Sequence, residues 1–75
     1  MENTEVYLED TLIRKALRDA RASKHLTQNE LSAISGLSIT TISNIEQGDG
    51  SPTLRSLIRY ANAVGYTLKI KKNLE

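Results

Sequence analysis

Apolar residues recur at Leu12, Ile13, Ala16, Leu17 and Ala20, an i, i+1, i+4, i+5, i+8 stripe that predicts a helix with one inward side. Arg14, Arg18 and Arg21 take the opposite side. Asp10 is the expected N-cap, and the helix should end near Lys24. His25 then stands where a left-handed backbone is needed, which histidine tolerates better than most residues carrying a Cβ. Thr27-Gln28-Asn29-Glu30 has the form of a capping box, the Thr27 hydroxyl taking an orphan N–H while the Glu30 carboxylate reaches back. It opens a short second helix with Leu31 and Ile34 inward, Ala33 alongside, and Gly36 as its stop. Ser38 caps a third helix whose Ile42 and Ile45 point inward, leaving Ile39, Thr40, Ser43, Asn44 and Gln47 outward; Gly48 ends it. Asp49-Gly50-Ser51-Pro52 concentrates turn chemistry and reads as a loop. Thr53 caps a fourth helix carrying Leu54, Leu57, Ile58, Ala61 and Val64, with Gly65 as terminator. Beyond Gly65 the period changes. Tyr66, Leu68 and Ile70 alternate with Thr67, Lys69 and Lys71, which predicts a short strand.

Composition supports the helical reading. Ten leucines, seven isoleucines and six alanines stand against two valines and no phenylalanine or tryptophan. The 75 residues leave room for one small domain. The expected fold is mainly all-α, four helices with a short C-terminal β-strand. Its expected parts are an acidic segment at 1–10, a helix-turn-helix domain at 11–65, and a strand and tail at 66–75.

The inventory of reactive groups is short. With one histidine and no cysteine the chain cannot assemble a zinc site from the usual ligands or a Cys/His nucleophile pair. No metal, no cofactor and no enzymatic activity are expected, and His25 reads as a turn residue. Adjacent Glu9 and Asp10 read as helix-start charges rather than an acid/base pair. No apolar run approaches the roughly 18 residues of a membrane span, and the N-terminus is acidic where a secretory signal is basic. A soluble, cytoplasmic protein with no membrane partner is the expectation.

Charge adds a modest hint. Residues 1–10 carry four acids and no base, whereas residues 11–75 carry ten Lys and Arg against five acids, a net +5. Such an excess favours a polyanion partner only when a motif stands beside it.

That motif is the pair of short helices from Thr27 to Gly48, joined by a glycine-containing turn, which is the helix-turn-helix arrangement. The second helix of such a pair can enter a major groove. Its outward side chains are suited to bases: asparagine can pair with adenine in bidentate fashion, and Ile39 can meet a thymine methyl. The starts of helices two, three and four offer free N–H groups to phosphate oxygens. Base candidates are therefore Ile39, Thr40, Ser43 and Asn44, and phosphate candidates are Gln28, Ser38, Gln47 and Thr53. Taken one by one, outward Thr, Ser and Asn are usually only solvated; together in this frame they point to a groove. Arg14, Lys15 and Arg18 read as a solvated helix face, and Tyr60 as core or rim packing with its hydroxyl in water.

The run L-T-Q-N-E-L-S-A-I-S-G-L-S-I-T-T-I-S-N-I-E-Q-G from Leu26 to Gly48, followed by S-P-T-L-R-S-L and A-N-A-V-G, closely resembles the Cro/phage-repressor (XRE-type) helix-turn-helix family. The resemblance covers roughly residues 11 to 65. It implies a lambda-repressor-like domain of four or five helices in which Gln28 contacts phosphate, Ser38 the DNA backbone, and Ile39, Thr40 and Asn44 the bases. It also implies a structural ion pair between Arg21 and Glu46. Gly48 is followed by Asp49 where the family often carries a base, and the acidic first ten residues do not form a basic minor-groove arm.

The function expected is that of a sequence-specific transcriptional repressor occupying a palindromic operator on double-stranded DNA as a homodimer. The tail G-Y-T-L-K-I is similar to that of small antitoxins of the HipB and HigA kind, which implies an autoregulating antitoxin with a cognate toxin partner. A phage or plasmid repressor, a restriction-modification controller, and a protein-interaction module without DNA binding are the alternatives. A lone strand has two unpaired edges, so Tyr66, Thr67, Leu68, Lys69 and Ile70 are the expected dimer interface, pairing with their copies across a two-fold axis.

Overall fold

A computed structural model describes the backbone of residues 2–69 and the side chains of residues 10–69. In chain order the helices are α1 (Glu2–Ser23), α2 (Gln28–Ser35), α3 (Ile39–Gln47) and α4 (Leu54–Ala63). α2 packs on α3 and α4, and α1 packs on α3. The core draws on every helix: Leu17 and Ala20, Leu31, Ile42 and Ile45, Tyr60 and Ala61, with Leu37 and Val64 from the connections. Burying one Leu or Ile side chain contributes roughly 1.5–3 kcal/mol.

The caps follow the sequence. Thr27 Oγ1 accepts from the Glu30 N–H at 3.0 Å while the Thr27 N–H donates to Glu30 Oε1 at 2.8 Å, closing the capping box. Ser38 and Thr53 sit in extended backbone at the N-caps of α3 and α4, accepting from the N–H groups of Thr41 and Ser56. The ends of α1, α3 and α4 share one solution. A residue at positive φ is followed by an N–H reaching five residues back: Leu26 to Arg21, Asp49 to Asn44, and Tyr66 to Ala61. Glycine supplies that φ after α3, but after α1 the residue is His25 at φ 58°.

Several expectations are corrected. α1 begins at Glu2, with no N-cap at Asp10. Residues 2–9 contain neither glycine nor proline, and acids early in a helix suit its positive end. Asp10 Oδ1 instead accepts from Arg14 Nε, one turn on, at 3.3 Å. The inward side of α1 is also rotated from the predicted stripe: Leu17 and Ala20 are buried, Leu12 is 63% exposed, and Arg14 is only 6% exposed. Three backbone carbonyls lie where Arg14 can reach them, and these make a buried guanidinium tolerable.

In α2 only Leu31 is buried, while Ile34 lies 59% exposed. The chain turns at Gly36 and delivers Leu37 into the core, where the Ser32 hydroxyl donates to its carbonyl at 2.5 Å. In α4, Leu54 and Ile58 are exposed and Tyr60 is wholly buried, its hydroxyl bonded to protein rather than water. Finally, residues 66–69 adopt no strand, and among the described residues there is none. Hydrogen bonding in a strand requires a neighbour. Leu68 packs against the core instead, and Ile70 lies outside the described residues.

Candidate nucleic-acid interface

With Ile42 and Ile45 completely buried, α3 cannot rotate about its own axis without exposing them, and this sets which residues face out. Thr40, Asn44 and Gln47 are exposed, Ile39 is 38% exposed and Ser43 half-buried. All five predicted outward positions of the helix are thus at least partly open to solvent, and they form one polar stripe with an aliphatic residue at its N-terminal end.

The phosphate candidates divide differently. The Ser38 hydroxyl donates to Thr41 Oγ1 at 3.0 Å, and Thr53 does the same to Ser56 Oγ at 3.0 Å. Both hydroxyl oxygens cap their helices, accepting from the Thr41 and Ser56 N–H groups. Gln28 stands at the first position of α2, half-buried, and its Nε2 donates to Glu46 Oε1 at 3.1 Å. Gln47 is exposed. Beside the stripe, a concavity of about 240 Å³ lies between α3 and the start of α4, lined by Thr41, Asn44, Ser56 and the Asp49–Thr53 loop.

The frame beneath the stripe centres on one carboxylate. Glu46, on α3, has a side chain 5% exposed and accepts four hydrogen bonds. Arg21 of α1 donates from Nε to Oε2 at 2.6 Å and from Nη2 to Oε1 at 2.8 Å, the bidentate geometry that makes such pairs strong. Gln28 of α2 adds a donor to Oε1, and the Tyr60 hydroxyl of α4 adds one to Oε2. One residue from each helix meets here, and the lone pairs of the carboxylate are saturated. Burial pushes the Glu46 carboxyl up, but the hydrogen bonds from Arg21, Tyr60 and Gln28 outweigh it and hold the group below its ordinary value. The hydrogen bond to Glu46 raises Arg21 against the opposing effect of burial. Burial first, and the bond to Glu46 second, push the Tyr60 phenol well above its usual range.

A second polar knot was not visible in the sequence. Arg14 donates from Nη1 to the Asn44 and Asp49 carbonyls at 3.3 and 3.0 Å and from Nη2 to the Gly50 carbonyl at 3.0 Å. The only sequence signal for it is position: Arg14 lies seven residues, two helical turns, before Arg21 on the same side of α1. The Tyr60 hydroxyl, expected in water, is bonded to Glu46, and nothing in the chain marks that partner either. Among the described residues no three of His, Cys, Asp and Glu cluster as a metal site, and no helix is long and apolar enough to cross a membrane.

This architecture, two short helices set at a glycine turn and held by a third and fourth, defines a helix-turn-helix protein. Residues 17–70 match the family model described as "Helix-turn-helix", and the chain belongs to that family. Three relatives are similar to it. The "Uncharacterized HTH-type transcriptional regulator y4dL" of Sinorhizobium fredii is 46% identical over 52 residues, 69% of this chain and 26% of that protein. The "ImmF control region 10 kDa protein" of Bacillus phage phi105 is 36% identical over 59 residues, 79% of this chain and 66% of that protein. The "Putative antitoxin HigA2" of Mycobacterium tuberculosis is 37% identical over 59 residues, 77% of this chain and 58% of that protein. The matched part of the chain thus spans from about a quarter to about two thirds of these relatives.

Proposed function

We propose that this chain is a DNA-binding transcriptional regulator that lays α3 in the major groove of double-stranded DNA. The observation that carries the reading is the outward stripe of α3, uninvolved in the core and held at a set rotation by the Glu46 junction. Thr40, Ser43 and Asn44 read base edges, and Ile39 meets a thymine methyl. Gln28, Ser38, Gln47 and Thr53, with the N–H groups at the helix starts, hold the phosphates. The working unit is residues 11–65, preceded by the acidic segment 1–10. The chain acts as a homodimer on a palindromic operator through Tyr66, Thr67, Leu68, Lys69 and Ile70, and it represses by occupancy.

Within this class we favour an antitoxin that represses its own operon and binds a toxin. The tail resemblance and the similarity to a protein named as an antitoxin support it. Similarity to a phage control-region protein supports the neighbouring reading of a phage repressor. A toxin-like reading frame beside the gene separates the two.

The test is binding to duplexes enriched by the protein from a random pool. Asn44→Ala and Thr40→Ala should each weaken the enriched site by roughly 1–3 kcal/mol and relax preference at one position. Gln28→Ala should weaken all duplexes alike. Affinity must fall steeply as salt rises; binding that ignores salt would make the domain a protein-interaction module instead. Truncation after Gly65 should give a monomer in the ultracentrifuge, and a truncated dimer would move the interface elsewhere.

A further inference from the structure

Arg14 is a buried cation that the helix-turn-helix stripe does not use. Its fork ties α1 to the carbonyls of Asn44, Asp49 and Gly50, which lie on the last turn of α3 and the loop leading to α4. That loop has little else to shape it. Gly48 and Gly50 hold φ of 80° and 66°, and no atom lies within 4 Å of the place where a Cβ would sit on either. At its two ends the loop is tied by the Gly48 and Asp49 N–H groups to the Ile45 and Asn44 carbonyls and by the Thr53 cap, whereas Asp49, Gly50 and Ser51 between them are exposed. The same loop forms one wall of the concavity between Asn44 and the start of α4.

We propose that Arg14 is a positioning residue for DNA binding: from behind the loop it sets the shape of Gly48–Thr53 and so the placement of the α4 N-terminus beside the recognition stripe. The inference rests on the DNA-binding reading above. Lysine cannot substitute, because a single ammonium keeps the charge but lacks the planar fork that reaches three carbonyls at once. Arg14 touches no nucleic acid in this scheme. Its loss therefore weakens the phosphate side of the contact and leaves base preference alone.

The experiment compares the parent with Arg14→Lys and Gly50→Ala at a temperature where circular dichroism shows each fully helical. The probes are duplexes enriched from a random pool by the parent and a mixed-sequence duplex of equal length. Both variants should lose about tenfold in affinity on both probes, and the slope of log affinity against log salt should shrink by about one phosphate contact. Amide exchange should speed up at Gly48–Thr53 while Leu31 and Ile42 keep parental protection, a pattern that global destabilisation does not produce. Gly50→Ala strains the loop at one of the carbonyls Arg14 holds while keeping the guanidinium itself, so it tests the same tie from the loop side if Arg14→Lys does not fold. Folded variants that bind both probes like the parent overturn the inference alone, as does a loss confined to the enriched duplex. A parent that binds neither probe overturns the DNA-binding reading and the inference with it.

Discussion

Two arginines on one helix, two turns apart, reach inward to differently weighted partners, and Arg21 also gives its Nη1 to the Leu26 carbonyl. Arg21 meets a carboxylate, Glu46, that also gathers Gln28 and Tyr60. Arg14 meets three carbonyls of the chain backbone and one half-exposed carboxylate, Asp10. A carboxylate carries a full charge that costs several kcal/mol to bury, so its donors must all be present together. Carbonyls carry no titrating charge and are present in any sequence, so the cation they hold leaves no pairing to read. The first knot fixes helices to one another; the second fixes a loop.

The largest effect should come from breaking the charged knot. Glu46→Gln leaves the Arg21 guanidinium, with a side chain 18% exposed, without its counter-charge. A loss of roughly 3–5 kcal/mol is expected. At about 4–8 °C per kcal/mol for a domain this small, that is a drop in Tm of more than about 10 °C. A variant that melts like the parent would reduce the knot to a surface contact.

Arg14→Ala should cost less, about 2–3 kcal/mol, since it orphans carbonyls but strands no buried carboxylate. Urea titration checks it, and a loss equal to that of Glu46→Gln would erase the distinction between the two knots.

Tyr60→Phe removes one hydroxyl bond to the same carboxylate while keeping the ring in the core. The expected cost is roughly 1.5–2 kcal/mol.

Titration sharpens the contrast further. Because Glu46 is held below its ordinary value in the fold, its contribution is present above the unfolded value near 4.5 and is lost as pH falls through the folded one. Tyr60 has the opposite sign. Its raised pKa gives stability that is present below about pH 10 and lost as pH climbs from there. The Glu46→Gln protein should lack that share of the acid limb, whereas Arg14→Ala should keep it. Thermal melts across pH separate them. The smallest effect belongs to Lys15 and Asp19, a 3.0 Å pair on the solvent side of α1 with both side chains more than half exposed. Lys15→Ala should cost at most about 0.5 kcal/mol and nothing measurable at high salt.

Legibility followed from the range of each interaction. The three N-caps, the left-handed ends at His25 and Gly48, and the inward Ile42 and Ile45 depend on residues within one or two turns, and the chain alone specified them. The outward stripe of α3 followed directly, because two buried isoleucines leave only one orientation. The Arg21–Glu46 contact, 25 residues apart in sequence, was legible only through family resemblance. Where the outcome depended on packing with no marker in the chain, reading failed: Ile34 yielded its place to Leu37, Arg14 went in and Leu12 stayed out.

The sequence by itself therefore determined where α2, α3 and α4 begin, where the helices end and which chemistry α3 displays, since caps, glycines and periodicity act locally. Tertiary structure alone decided which polar groups are buried and what satisfies them. A guanidinium can be buried only where acceptors converge, and whether backbone carbonyls converge depends on how distant segments pack, not on any residue type.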